Sequence, residues 1–259
     1  MLTSTRNPRV RAARGLHRSR HRHATGRHLV EGPRAVVEAL RAGLVEELYL
    51  DADDAAELVA TWGLTPGAGA PAVHVEHVTA AVLAAISDAT TPQGVVAVAR
   101  TRTAELGRIP AGVVVVLDRV ADPGNAGTVL RTADALGAAA VVLTAGSVDP
   151  FAPKTIRAAV GSTHHLPVVT GVALAEVAEH ARATGRRVVG LDAGGDAGLE
   201  VLREAAGAVT LVLGNEAHGL DAASRASLDA TVAIVLDPRA ESLNVAAAAA
   251  IAIHAATRG

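Results

Sequence analysis

VVVVLDRVADPGNAGTVLR, Val113 to Arg131, is the stretch from which the fold can be read. Four valines and a leucine make an unbroken apolar run of strand length, the pattern of a strand buried on both faces. Pro123 and Gly124 then turn the chain into a polar loop, and Ala126 to Leu136 reads as a helix. Twice more an apolar run ends in polar groups. TLVLG from Thr210 leads into LGNEAHGL (Leu213–Leu220), and TVAIVLD from Thr231 leads into IVLDPRAESLNVA (Ile234–Ala246). In an open α/β sheet, ligands bind in the crevice beyond the carboxyl ends of the strands. Three loops that carry Asn125, Arg131, Glu216, Ser242 and Asn244 are therefore expected to converge on one site, the arrangement of an enzyme.

Working outward, the second half alternates strand and helix throughout. Strands are expected at Ala139–Leu143, Leu166–Val169 and Arg186–Asp192, and helices at Pro153–Val160, Ala173–Thr184 and Ser242–Ala256. Such alternation gives a mostly parallel sheet covered on both faces. The first half reads as a smaller α/β/α unit. An arginine-rich helix is followed by a strand at His28–Gly32, a helix at Pro33–Gly43 with proline at its start and glycine at its end, and a strand at Val45–Asp51. A helix at Asp53–Trp62, a Pro/Gly loop at Thr65–Pro71, a strand in PAVHV (Pro71–Val75), a helix at Glu76–Ser87 and a strand at Gly94–Arg100 complete it. The expected domains are 1–100 and 113–259, joined by a linker at 101–112, a division that 259 residues accommodate.

Charge is unevenly spread. Eight of the 24 basic residues fall within residues 1–28, which hold no acidic residue. The other 16 face 26 acidic ones, so an overall −2 hides a body of −10. A basic arm on an acidic body suits a polyanionic partner, nucleic acid first, through Arg6, Arg9, Arg11, Arg18, Arg20 and Arg22. A solvated helix face is the plainer explanation. The absence of cysteine excludes disulfides, thiolate metal sites, iron–sulfur clusters and a cysteine nucleophile. His74 with His77, and His164 with His165, lack further ligands at metal-site spacing, so no metal is expected. Neither G-x-G-x-x-G nor G-x-x-x-x-G-K-[ST] occurs, which removes the sequence support for a nicotinamide or P-loop enzyme. No signal-like or membrane-length apolar stretch is found, so a cytoplasmic location is expected.

Each polar loop residue also has a structural explanation. Asn125 and Ser242 could cap the helices they precede, Arg131 could be a surface arginine, and Gly214 and Gly219 ordinary turn residues. Taken together, NAGTVLR, GNEAHG and ESLNVA in that order resemble the signature segments of the SpoU (TrmH) RNA ribose 2′-O-methyltransferases of the SPOUT superfamily. DPFAPKTIRAAVGS (Asp149–Ser162) is similar to that family's linking segment. RHLVEGPRAVVEAL and TTPQGVVAVA (Thr91–Ala99) resemble its L30e-like substrate-binding domain.

The resemblance implies an α/β catalytic domain with a trefoil knot, S-adenosylmethionine as cofactor, a homodimer, and structured RNA, ribosomal above all, as substrate. By the same analogy Leu213, Gly214, Ile234, Leu236 and Leu243 form the cofactor slot. Arg131 serves the ribose 2′-hydroxyl or its phosphate, and Asn125, Glu216, Ser242 and Asn244 orient substrate and loops. Two departures stand out: Ile234-Val235-Leu236 replaces the family's Ile-Pro-Met, and Pro238 occupies the place of a glycine. Three alternatives remain at this stage: a non-catalytic RNA-binding or assembly factor, a tRNA-directed enzyme, and an antibiotic-resistance methyltransferase of the same family.

Overall fold

The structure, a computed structural model, describes residues 1–64, 72–205, 207–240 and 242–258; the expected Thr65–Pro71 loop lies outside them, as does Glu241. The first half runs α1 (Pro8–Gly15), α2 (Ser19–Thr25), β1 (Arg27–Glu31), α3 (Pro33–Arg41), β2 (Val45–Asp51), α4 (Ala55–Trp62), β3 (His74–Val78), α5 (Ala80–Ile86) and β4 (Val95–Arg100). Next come β5 (Val114–Leu117), α6 (Pro123–Ala135), β6 (Ala140–Thr144), α7 (Pro153–Ala159), β7 (Val168–Val172) and α8 (Leu174–Ala183). The chain ends with β8 (Arg187–Leu191), α9 (Glu200–Glu204), β9 (Val209–Leu213), α10 (Ala222–Ala226), β10 (Ala230–Val232) and α11 (Val245–Thr257).

Two compact units result: Met1–Arg102 with Asp149–His165, and Thr103–Val148 with Leu166–Gly259. In the first, the sheet order is β1-β4-β2-β3, with β4 antiparallel to β1 and β2, and β3 parallel to β2. Successive strand residues alternate between two apolar clusters, as a pleated strand requires. Val30, Leu48, Leu50 and Ala97 join Val36 and Leu40 of α3. Leu29, Tyr49, Val96 and Val98 join Val10 of α1 and Val82 of α5. Phe151 and Ile156 lie in the α3-side cluster. That packing makes Asp149–His165, expected within the 113–259 domain, part of the first unit.

In the second unit six strands, all parallel, take the order β10-β8-β9-β5-β6-β7. The four residues of β5 are fully enclosed, which is why that run is apolar without alternation. Val114 and Val116 pack with Val177, Ala178 and Ala181 of α8. α11 packs on α6 and β9. Ala249 and Ala252 of α11 and Ala126, Gly127 and Ala133 of α6 are buried, and side chains this small let two helices approach closely.

Four expectations need correction. Glu76–Val78 is strand, because these residues pair with Tyr49–Asp51, and the helix begins only at Ala80. The third apolar run yields just two strand residues, Thr231 and Val232: Val232 pairs with Leu191, where β8 ends, so Ile234 has nothing to pair with and leaves the sheet. The last helix starts at Val245, capped by Asn244, whose side chain accepts from the Ala246 amide; Ser242 precedes it and caps nothing. Similarly α6 is capped by Asp122, not Asn125. Among the described residues no helix is long and apolar enough to cross a membrane.

Candidate active site

The carboxyl ends of β8 and β9 and the loop after β10 frame a cavity of about 660 Å³. Asn125, Glu216, Ser242 and Asn244 line it, as do Leu213, Gly214, Ile234, Leu236 and Leu243. Of the ten residues expected at the site, nine are therefore brought together. Arg131 is the exception. It stands exposed on α6, does not line the cavity, and its side chain makes no hydrogen bond or ion pair with any described residue.

One hydrogen-bonded network joins the three loops. Asn125 donates through Nδ2 to Glu216 Oε1 at 3.1 Å and accepts through Oδ1 from Asn244 Nδ2 at 3.0 Å. Glu216 also accepts from the Asp122 and Ala121 amides, each at 3.1 Å. Burial pulls the Glu216 carboxyl upward, but the Ala121 amide and the Asn125 side chain outweigh it and hold the group below its ordinary value. Glu216 is thus an ionised clamp whose two oxygens take three donors.

Beneath this network the turn after β5 is rigidly fixed. Arg119 has a left-handed backbone, φ 55°, and its carbonyl accepts from Asn215 Nδ2 at 2.8 Å. Its guanidinium donates to Asp221 at 2.6 Å, Ser224 at 2.9 Å and the buried Asp118 at 3.1 Å. Gly214 lines the cavity and also meets a requirement of the turn that follows it. A Cβ there would lie 2.4 Å from the Gly219 carbonyl carbon, so glycine is required by the returning Asn215–Gly219 turn.

Two residues of the site were not singled out in advance. Asn215 anchors the turn, accepting from the Ala217 and His218 amides. Asp192 lines the cavity, accepts from the Gly194 amide at 2.9 Å and pairs with Arg225. Asp192 closes the apolar run RRVVGLD, so the rule that located the other loops points to it as well.

The cavity suits the cofactor that the resemblance implies. Its volume is in the usual range for small-molecule sites, and Leu213, Ile234, Leu236 and Leu243 give apolar walls. No hydrogen bond among the described residues uses the main chain of Ile234 or Leu236, which leaves donors and acceptors for the edge of an adenine.

In the basic arm, Arg6, Arg9, Arg11, Arg18 and Arg20 are exposed. Arg22 must be withdrawn from the RNA-binding set. It is buried, donates to Asp149 through Nε at 2.9 Å and Nη2 at 2.6 Å, and through Nη1 to the Leu16 and His17 carbonyls. Its charge is spent inside the protein.

A parallel sheet with a nucleoside-sized cavity at its strand ends, bounded by a fixed polar network, defines an α/β group-transfer enzyme. The chain belongs to the SpoU rRNA methylase family, whose model matches residues 112–254; residues 7–97 match the MRM3-like substrate binding domain. It is 34% identical to the 23S rRNA (guanosine(2553)-2′-O)-methyltransferase RlmP of Bacillus subtilis, over 98% of this chain and 97% of that protein. It superposes on the AdoMet-bound rRNA methyltransferase of Sinorhizobium meliloti with a TM-score of 0.86 at 31% identity, covering 99% of this chain and 97% of that one. With the SpoU methyltransferase AviRb of Streptomyces viridochromogenes, in complex with the cofactor AdoMet, the TM-score is 0.84 at 31% identity and 98% coverage of both chains.

Proposed function

We propose that the protein transfers a methyl group from S-adenosylmethionine (AdoMet) to a ribose 2′-hydroxyl of ribosomal RNA, in the cytoplasm and as a homodimer. The observation that carries this reading is the single cavity in which three distant loops meet through Glu216, Asn125 and Asn244. The bound cofactor supplies an electrophilic methyl on a sulfonium, so the protein must chiefly align an oxygen with it and manage one proton. Leu213, Ile234, Leu236 and Leu243 would hold the adenine, with the main chain of Ile234 and Leu236 available to its edge. Glu216 and Asn244 hold Asn125 at the rim, where it and Ser242 orient the ribose.

Arg131 anchors the 2′-hydroxyl or its phosphate. A guanidinium keeps its proton at neutral pH, so it eases ionisation of the hydroxyl by its field and does not act as a base. Arg131 does not line the cavity of its own chain, so in the proposed homodimer Arg131 of the partner subunit would complete the site. The trefoil knot implied by the resemblance belongs to this same reading.

The test is transfer of labelled methyl from S-adenosylmethionine to ribosomal RNA taken from cells lacking the protein. Label in alkali-resistant dinucleotides is expected, since a 2′-O-methyl blocks strand cleavage. A folded protein that binds this RNA and leaves it unlabelled would instead be a scaffold.

A further inference from the structure

The first unit holds a second cavity, of about 460 Å³, which the proposed reaction does not use. It lies where β1 meets α3 and α5 ends, and its lining includes Arg34, Trp62, Gln93 and Arg157. The chain has one Trp, one Tyr and one Phe. Tyr49 and Phe151 are buried, whereas Trp62 is 36% exposed at this cavity. A protein so poor in aromatics gains most from an indole by burying it, and this one is left half open.

The polar groups around Trp62 are of two kinds. Arg157 is held in place by Asp88 at 3.0 Å and Glu31 at 3.5 Å, and Glu31 accepts from Ser87 Oγ and the Asp88 amide. That set is an internal brace. Arg34 is exposed and forms no ion pair with any described residue. Gln93 is exposed as well, with its amide close over Gly32. Gly32 has φ +85°, and a Cβ there would sit 2.7 Å from Gln93 Oε1. An aromatic face, an unpaired cation and an amide able both to donate and to accept therefore surround one space.

We infer that this cavity is a subsite for one unstacked nucleotide of the substrate RNA. Its base stacks on Trp62 and is read at its edge by Gln93, and its phosphate meets Arg34. Sequence-specific RNA recognition works mainly on unpaired bases laid against aromatic rings, and base–aromatic stacking tolerates any base while the amide selects among them. A purely apolar ligand would leave Arg34 and Gln93 without partners. The inference rests on the proposed ribosomal RNA substrate.

The sole tryptophan makes the test specific. Full-length protein is titrated with a hairpin RNA bearing a single-stranded loop, and with a blunt duplex of equal length, while indole emission and RNA anisotropy are followed. The hairpin is expected to quench the emission and the duplex to leave it unchanged. Trp62→Ala should weaken hairpin binding by about 5- to 150-fold, the equivalent of about 1–3 kcal/mol per stacked base, and Trp62→Phe should retain most of it. Arg34→Ala should lower the salt slope by about one. An unchanged circular dichroism spectrum and thermal unfolding curve for each variant show that it is folded. If wild-type protein methylates ribosomal RNA and both alanine variants bind and methylate equally well, the subsite is overturned and the reaction stands. If wild-type protein neither binds nor methylates ribosomal RNA, the reading of the reaction falls and the subsite with it.

Discussion

Glu216 is a charged residue at the candidate site whose hydrogen bonds give it a structural part to play there. Its oxygens already accept from two amides and from Asn125, so it is poorly placed to take a proton from substrate and well placed to set the position of Asn125. Glu216→Gln replaces one acceptor oxygen by a donor that must face an N–H. Because the group is exposed, stability should fall by no more than about 1 kcal/mol. Methyl transfer should fall about tenfold or more, with S-adenosylmethionine affinity nearly unchanged by calorimetry; an equal loss in both would make Glu216 a cofactor contact. Gly214→Ala separates the two roles from the other side. Its Cβ collides with the Gly219 backbone, and overpacking of that kind costs about 1–3 kcal/mol. Since Gly214 lines the cavity, cofactor affinity should drop at least tenfold, and a normal binding isotherm for this variant would place the turn outside the site. Arg131 was legible as a residue and illegible as a position. It lies six residues after Asn125, about 240° further round a helix of 3.6 residues per turn, so the two could never share one face of α6. That phase was available in the sequence and bears directly on the oligomeric state.

At the scale of elements, the parallel sheet was legible because fully enclosed strands such as β5 and β9 are apolar at every position. The loops of the site were legible for the same reason: a polar residue just after such a run sits at a strand's carboxyl end. What escaped is local structure decided by partners. The strand at Glu76–Val78 exists because β2 offers it a ladder, and its HVEHV pattern, mostly exposed, carries little strand signal of its own. The fate of Asp149–His165 depended on which unit would bury Phe151 and Ile156, and no periodicity encodes that. Nor does composition separate Arg22, bound to Asp149, from the exposed arginines flanking it. The basic arm is accordingly both structural and available for binding. Val10, Ala13 and Leu16 fill the core, so deleting the arm would unfold the unit. Replacing only the exposed Arg6, Arg11, Arg18 and Arg20 with alanine should leave thermal stability within about 1 kcal/mol, since surface substitutions cost little. RNA affinity should become less salt-dependent, the slope of log K against log salt falling by up to about 3 if all four meet phosphates. A titration over a range of salt measures it, and an unchanged slope would mean the arm does not touch RNA.

For the molecule as a whole, a buried histidine pair sets the acid limit. His28 and His164 are buried, stack at 5.6 Å, and share a hydrogen bond between their Nε2 atoms at 3.3 Å. Burial, then the neighbouring His164, lowers His28 to about 3. Burial, then His165, lowers His164 to about 4. The unfolded chain takes up these protons near pH 6.5 and the folded chain only near 4 and 3. Stability is therefore fully present above about pH 6.5 and declines as the pH falls from there, by up to about 1.4 kcal/mol per pH unit for each ring. The lowered carboxylates, Glu216 and Asp229 among them, add their loss only at lower pH. Denaturant midpoints at pH 7.5 and 5 should differ, and the His28→Phe/His164→Phe double variant should lose most of the difference. Assembly is tested by an argument that uses both ends of the site. If the cavity of one chain is completed by Arg131 of the partner subunit, Arg131→Ala abolishes transfer as a homodimer and Gly214→Ala does so at a cofactor concentration below its weakened affinity. They damage different halves, however. In a mixed dimer, one of the two sites joins an intact cavity to an intact Arg131. Co-expressing the two inactive variants should therefore restore activity, to about a quarter of wild type when subunits mix at random, because half the dimers are mixed and each has one working site. If Arg131 instead served its own chain, every site in the mixture would retain one lesion, and no activity would return at any mixing ratio.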